Sequence, residues 1–332
     1  MRHLIRFFIS STILVFMFLI LSSSQIIEES VTEQLSEKNV ELAEKSSITP
    51  MGFNDVQTEA EAAVLLDGDT GDVLWQKNAN EPLPPASMSK VMTMYLILES
   101  LEDGDMDIED EVGISDVAAA TGGASIYLRE GSVLSVADLF QAMAIVSAND
   151  ASVALAEYTD GSEEAFMERM NEKASEIGLS QDANFINASG LPHETFDYES
   201  RMTALDTAVL GYHLLQDYPN IVNLTKQPTL SLSYRNQVLP STNTLLNSEE
   251  VGSNIDEPDF DQHPAHPEVD GLKTGYTRGA GYSFIGTSEQ HGQRLIAVVM
   301  RAESDEARFE ETQQILKAGF EHVHKDIRTE RE

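Results

Sequence analysis

The chain is predicted to adopt an α+β fold in which one sheet, assembled from segments distant in sequence, is covered by helices. Three observations lead there. β-type runs lie near the start of the globular region and again near its end, helical apolar spacing fills the interval, and a further helical run closes the region. In order, Ala63-Val64-Leu65-Leu66 and Val73-Leu74-Trp75 flank the turn-forming stretch Asp67-Gly68-Asp69-Thr70-Gly71-Asp72 and read as a β-hairpin, with order beginning near Glu61. After the break Pro82-Leu83-Pro84-Pro85, residues Val91, Tyr95, Leu98 and Leu101 keep helical spacing from Ser87 to Leu101, and Gly104 stops the helix. Ser87 is therefore expected at a helix N-terminus. Val136 to Tyr158 carries two more helical stretches, parted at Ser147-Ala148-Asn149-Asp150, where short polar side chains compete for backbone hydrogen bonds. Gly281 to Thr287 and Leu295 to Met300 read as strands joined by Ser288 to Gln293. Phe309 to Val323 reads as the closing helix, with Phe309, Leu316, Phe320 and Val323 among its apolar positions.

With 332 residues, 41% of them hydrophobic and 23% charged, the chain can bury a full core. Met1 to Ser24 stands apart: Arg2, His3 and Arg6 precede the apolar run Phe7 to Leu21 and then Ser22-Ser23-Ser24, the order of an export signal. The small residues suit cleavage, yet the run is only slightly short of a membrane span, so signal peptide and retained anchor both stay open. Residues 25–57, rich in Glu between Glu28 and Glu44, read as an acidic solvated spacer. The sequence has no cysteine, which excludes disulfides, thiol catalysis and Cys-based metal sites. A formal net charge of −35 argues against nucleic acid and anionic lipid as partners, since both need clustered Lys and Arg. Membrane contact is expected only through the N-terminal segment, and the protein is expected outside the cell or at its wall.

Ser87-Met88-Ser89-Lys90 places a hydroxyl and an amine three residues apart, on one helix face and one turn away from each other. For Lys90 to accept the serine proton it must be neutral part of the time, which burial and a second nearby cation both favour. Free N–H groups at the helix start would stabilise negative charge developing at the serine or at an attacked carbonyl oxygen. Ser147-Ala148-Asn149 offers a hydroxyl for proton relay and an amide able to hold a substrate peptide group or the lysine. Lys273-Thr274-Gly275 fits an edge strand facing a cleft, where lysine supplies positive potential and glycine lets a substrate approach the backbone.

In this order the three elements are the set found in penicillin-binding proteins and class A β-lactamases. From about Ala62 to Phe320 the chain resembles the D-alanyl-D-alanine carboxypeptidase family of low-molecular-weight penicillin-binding proteins. The resemblance is carried also by Asp69-Thr70-Gly71, Pro85-Ala86-Ser87, Gly123-Ala124-Ser125, Ser135-Val136-Ala137-Asp138-Leu139, Asn187-Ala188-Ser189-Gly190-Leu191, Asn243-Thr244-Leu245-Leu246 and Asp270-Gly271-Leu272. It implies an antiparallel sheet with helices on both sides and a catalytic domain over residues 58–325. It implies Ser87 as the nucleophile toward D-Ala-D-Ala, Lys90 as its base, and Ser147 with Lys273 as the route of a proton to the leaving amine. Asn149, Lys273, Thr274, Gly275, Tyr276 and Arg308 would bind substrate, with the oxyanion hole made by the backbone N–H groups of Ser87 and Tyr276. Arg308, just inside a helix that Ser304 can cap, would face the terminal carboxylate; a surface salt bridge is its plainer reading. Peptidoglycan stem peptides are the implied substrates, β-lactams the implied acylating inhibitors, and no cofactor or metal is implied.

Two departures from the family pattern are visible. No β-rich second domain or amphipathic C-terminal anchor is expected after the closing helix, which leans toward the short members that cut cross-links. The acidic stretch Glu249 to Glu268 is longer than usual; its His263 and His266 are separated by prolines and do not make a regular metal-binding pair. Between Ser147 and Lys273 there is no Glu-x-x-x-Asn element with leucine before the asparagine, which weighs against a β-lactamase. A DD-endopeptidase, and a penicillin-binding sensor that is acylated once without turnover, complete the alternatives.

Overall fold

The computed structural model describes residue 56 and residues 58–193, 198–246 and 268–329. The leader, the acidic spacer apart from Val56, and the acidic stretch with His263 and His266 apart from Glu268 lie outside the described residues.

Strands β1 (Ala62–Asp67) and β2 (Val73–Lys77) form the expected hairpin, and Asp67 caps its turn by accepting hydrogen bonds from the Asp69 and Thr70 amides at 2.8 and 3.0 Å. Order begins slightly before Glu61: the Ala60 amide already donates to Glu311, and Lys77 donates to the Thr58 carbonyl at 2.7 Å. A 3-10 turn, Ala86–Ser89, leads into α1 (Lys90–Asp103), which Gly104 ends in the left-handed conformation. There follow β3 (Glu111–Gly113), α2 (Asp116–Ala120), β4 (Val133–Ser135), α3 (Val136–Val146), α4 (Asn149–Asp160), α5 (Glu163–Glu176), α6 (Ala204–Asp217) and α7 (Val222–Thr225). The hairpin β5 (Thr229–Leu232) and β6 (Gln237–Pro240) precedes the strands β7 (Gly271–Thr277), β8 (Gly281–Gln290) and β9 (Gln293–Ala302), and α8 (Asp305–Thr329) closes the chain.

The main sheet has the order β2-β1-β9-β8-β7, with antiparallel pairing throughout. Pairing Ala62 with Met300 and Asp67 with Leu295 brings the two ends of the domain together at its centre. The period-2 alternation of a strand then divides the core. Val64, Leu66, Ile296 and Val298 pack with α1, α3, α4 and α6, whereas Leu65, Leu295, Ala297 and Val299 pack against Phe309, Leu316 and Phe320 of α8. Each fully buried Leu or Phe contributes roughly 1.5–3 kcal/mol relative to exposure, so both faces must be covered and helices lie on both sides. No helix among the described residues is long and apolar enough to cross a membrane.

Three boundaries differ from expectation. The helix of Ser87 starts as a 3-10 turn, and regular α-helix begins only at Lys90. β8 and β9 run on to Gln290 and from Gln293, leaving His291-Gly292 as the turn, because Glu289 pairs with Arg294 across the ladder. The closing helix begins at Asp305, where Ser304 accepts the Ala307 amide and acidic Asp305 and Glu306 fill the first turn.

Candidate active site

Three walls meet around Ser87. The first is the 3-10 turn and the start of α1, which put Lys90 one turn from Ser87 with Nζ donating to Ser87 Oγ at 3.0 Å. Lys90 is fully buried, and its amine makes two further hydrogen bonds of 2.6 Å each, to Asn149 Oδ1 and to the Ser189 carbonyl. Burial, then the charge of Lys273, push the Lys90 pKa well below the ordinary lysine value, with Asp150 opposing.

The second wall is the break between α3 and α4. Ser147 ends α3 in the left-handed conformation, φ 64°, and is buried; this strained backbone turns the chain so that Asn149 opens α4. Asn149 Nδ2 donates to the Gly122 carbonyl at 2.8 Å while its oxygen holds Lys90, so the amide bridges lysine and loop. Asp150 binds the same loop, accepting from Ser125 Oγ at 2.6 Å and the Leu128 amide at 3.0 Å.

The third wall is β7, an edge strand of the main sheet, as its Lys-Thr-Gly segment suggests. Lys273 is buried, its Nζ donates to the Thr274 carbonyl at 3.1 Å, and burial followed by the charge of Arg308 brings its pKa down to about 7. Thr274 donates to Thr242 Oγ1 at 2.7 Å. Gly275 lies where a side chain has no room: a Cβ there would sit 2.5 Å from the Pro85 carbonyl oxygen, which is how the strand reaches the 3-10 turn of Ser87. Tyr276 is half-exposed and stacks on Tyr282 with ring centroids 4.5 Å apart.

Arg308 fits neither sequence reading simply. It is buried, with NH1 donating to the Gly275 and Ser283 carbonyls at 3.2 and 3.4 Å and NH2 paired with Asp305, while its buried Nε has no partner. Burial lowers its pKa. The guanidinium thus braces β7 from the α8 side and adds positive potential to the Lys273 region.

The structure brings Lys90 to Ser87 and Asn149, ties Asn149 to Gly122, and packs β7 with Gly275 against the 3-10 turn. Residues to which the sequence alone assigns no role complete this arrangement. The Asn187–Gly190 loop supplies the Ser189 carbonyl; Asn187 Oδ1 accepts the Ser189 and Gly190 amides, and Thr93 Oγ1 holds the Ala188 carbonyl at 2.7 Å. Gly190, at φ +76°, would place a Cβ only 2.0 Å from the Ala86 carbonyl oxygen, so glycine alone lets this loop touch the serine turn. The polar run Asn187-Ala188-Ser189-Gly190 is a legible turn signal, but nothing in it announces a lysine ligand.

A buried lysine, depressed in pKa and bonded to a serine at the start of a helix, defines with this sheet a serine acyl-transfer architecture of the penicillin-binding type. The ampicillin-bound penicillin-binding protein D2 of Listeria monocytogenes superposes with a TM-score of 0.68 at 32% identity, covering 80% of this chain and 99% of that one. The model of the D-alanyl-D-alanine carboxypeptidase family matches residues 46–258 and 260–304, and the chain belongs to that family. Curated relatives include the D-alanyl-D-alanine carboxypeptidases DacF of Bacillus subtilis and DacC of Escherichia coli, each 37% identical, over 80% and 79% of this chain respectively. The chain spans 64% and 61% of the length of those two relatives.

Proposed function

We propose that the protein is a serine-type D-Ala-D-Ala carboxypeptidase that removes the terminal D-alanine of peptidoglycan stem peptides through an acyl-enzyme on Ser87. The observation that carries this reading is the set of three oxygen neighbours around Lys90 Nζ: Ser87 Oγ at 3.0 Å, Asn149 Oδ1 at 2.6 Å and the Ser189 carbonyl at 2.6 Å. A neutral amine has two N–H bonds and one lone pair. Asn149 and Ser189 can only accept from it, so they take the two hydrogens and leave the lone pair facing the Ser87 hydroxyl.

In the reaction that follows, Lys90 takes the Ser87 proton as Oγ attacks the carbonyl between the two D-alanines. The tetrahedral oxyanion is held by the backbone N–H groups of Ser87 and Tyr276, on the 3-10 turn and on β7. The C–N bond breaks, the leaving D-alanine nitrogen receives a proton through Ser147 and Lys273, and water then hydrolyses the ester. Lys273 and the Thr274 hydroxyl face the terminal carboxylate, Gly275 gives it access to the strand, and Arg308 reinforces the positive potential from beneath β7. β-Lactams carry an amide carbonyl and a carboxylate that fit the same positions and acylate Ser87. The Met1–Ser24 segment exports the protein, so the catalytic domain works on the wall side of the membrane.

The test is free D-alanine released from a pentapeptide muropeptide by the wild type and by Ser87→Ala. Release by the wild type alone, together with loss of penicillin labelling in a folded Ser87→Ala, is the expected result. A folded Ser87→Ala that penicillin still labels refutes the assignment of the nucleophile. A wild type that is labelled but releases no D-alanine replaces the carboxypeptidase with an endopeptidase, whose substrate is the cross-linked dimer.

A further inference from the structure

Thr242 lies in the loop after β6, between Ser241 and Asn243, outside every element the mechanism uses. Its main chain and its side chain nevertheless reach opposite walls of the site. The Thr242 amide donates to the Ile145 carbonyl at 3.1 Å. Ile145 belongs to the last turn of α3, where carbonyls have no partner within the helix, and it stands two residues before Ser147. The Thr242 hydroxyl meets the Thr274 hydroxyl at 2.7 Å, one residue after Lys273. The loop itself is fixed: the Ser241 amide donates to the Pro228 carbonyl at 2.8 Å, and Ser241 Oγ accepts the Asn243 amide at 3.1 Å. Thr242 is half-buried, between buried Ser241 and buried Asn243.

We propose that Thr242 is a positioning residue that cross-braces the Ser147 turn to β7 and sets the direction in which the Thr274 hydroxyl donates. This rests on the reading of Thr274 as a substrate-binding residue. Two hydroxyls that share one hydrogen bond have one proton left over. When Thr274 donates across the 2.7 Å contact, the spare proton is on Thr242. With Thr242 donating, Thr274 keeps its own proton and can give it to a carboxylate in the cleft. An arriving carboxylate selects the second arrangement, and Thr242 holds it by donating to the Thr274 oxygen. Valine at 242 keeps the shape of threonine and removes that donor; serine keeps the donor and removes only a methyl group.

Binding and chemistry separate in the kinetics of acylation by a fluorescent penicillin, which give the non-covalent dissociation constant and the acylation rate constant independently. Because the interaction with the carboxylate forms before the bond-making step, Thr242→Val should weaken non-covalent binding about 10-fold and change the acylation rate constant much less. Thr242→Ser should return binding to within about twofold of the wild type, and Thr242→Val should have no further effect in a Thr274→Val background. Thr242→Ala takes the place of Thr242→Val if the melting temperature of the valine variant falls. Unchanged binding in the hydroxyl-free variant, or a serine variant as impaired as valine, overturns the proposal. Failure to release D-alanine leaves this comparison intact, because it uses acylation alone. A wild type that penicillin does not label overturns the substrate reading and the brace with it.

Discussion

Lys90→Met should slow acylation of Ser87 by about 10²- to 10⁴-fold, the usual contribution of a positioned general base. Methionine fills nearly the same volume and cannot accept a proton. The pH profile separates loss of the base from a distorted site. In the wild type, acylation is low while Lys90 is protonated and rises with pH through its depressed pKa, since the base must be neutral. In kcat/KM the alkaline limb follows Lys273 from about 7, because loss of its charge removes the attraction for the carboxylate. In the saturated enzyme the bound carboxylate stabilises the ammonium, which moves that limb upward and places the optimum of kcat above neutral pH. Lys90→Met should abolish the rise on the acid side. A variant that retains it, or a wild type with a flat profile from about pH 6 to 10, contradicts a lysine base.

Lys273→Met should lower kcat/KM on the peptide by about 10²-fold, the order expected when one charge-assisted hydrogen bond to substrate is removed, and at the same time make the protein more stable. The folded pKa of Lys273, about 7, lies below that of lysine in an unfolded chain. Between those values the unfolded state binds more protons, so wild-type stability rises with pH across the window, and the burial penalty is complete below about 7. Replacing the buried amine by an apolar side chain of similar length removes the penalty. The expected gain is about 1–4 kcal/mol near neutral pH, seen as a higher Tm, and it should shrink as the pH approaches the ordinary lysine value. The substitution also removes the hydrogen bond from Nζ to the Thr274 carbonyl, an oxygen that belongs to an edge strand. Equal stability of the two proteins from neutral to alkaline pH would show that Lys273 is not charged at a cost in the folded state.

Local chemistry is legible in the sequence and long-range chemistry is not. Ser87 and Lys90 are three residues apart, so helix geometry alone predicts their proximity, and the polar break at Ser147-Ala148-Asn149 is visible as an interruption of an apolar run. The hairpin at β1 and β2 and the outline of β8 and β9 follow from alternation and turns. Their far ends do not, because Glu289, Gln290, Gln293 and Arg294 are polar and owe their strand conformation to the partner strand. The 3-10 start of the Ser87 helix also escapes, since the spacing of Val91, Tyr95, Leu98 and Leu101 describes only the regular part. The Ser189 carbonyl reaches Lys90 across 99 residues as a main-chain group, which no side-chain identity can signal. Thr242 meets Thr274 across 32 residues, and threonine is too common in loops to mark itself. Arg308 can be placed near a helix start from the sequence, whereas its burial beneath β7 depends on the packing of α8 on the sheet.

The centre of the sheet is its last strand. β1 and β2 form one hairpin, β7 and β8 another, and only β9 joins them, pairing with β1 on one side and β8 on the other. Until β9 is in place, the segment bearing Ser87 and the strand bearing Lys273 belong to separate halves. Such distant pairing is slow to form. During synthesis the chain therefore carries the proposed nucleophile Ser87 for most of its length without the strand of Lys273 joined to it through the sheet, and acylation by penicillin is expected only once β9 unites the halves. A truncation before Gln293 removes that strand entirely. Penicillin labelling is thereby expected to report completion of the fold as well as the chemistry proposed for the site.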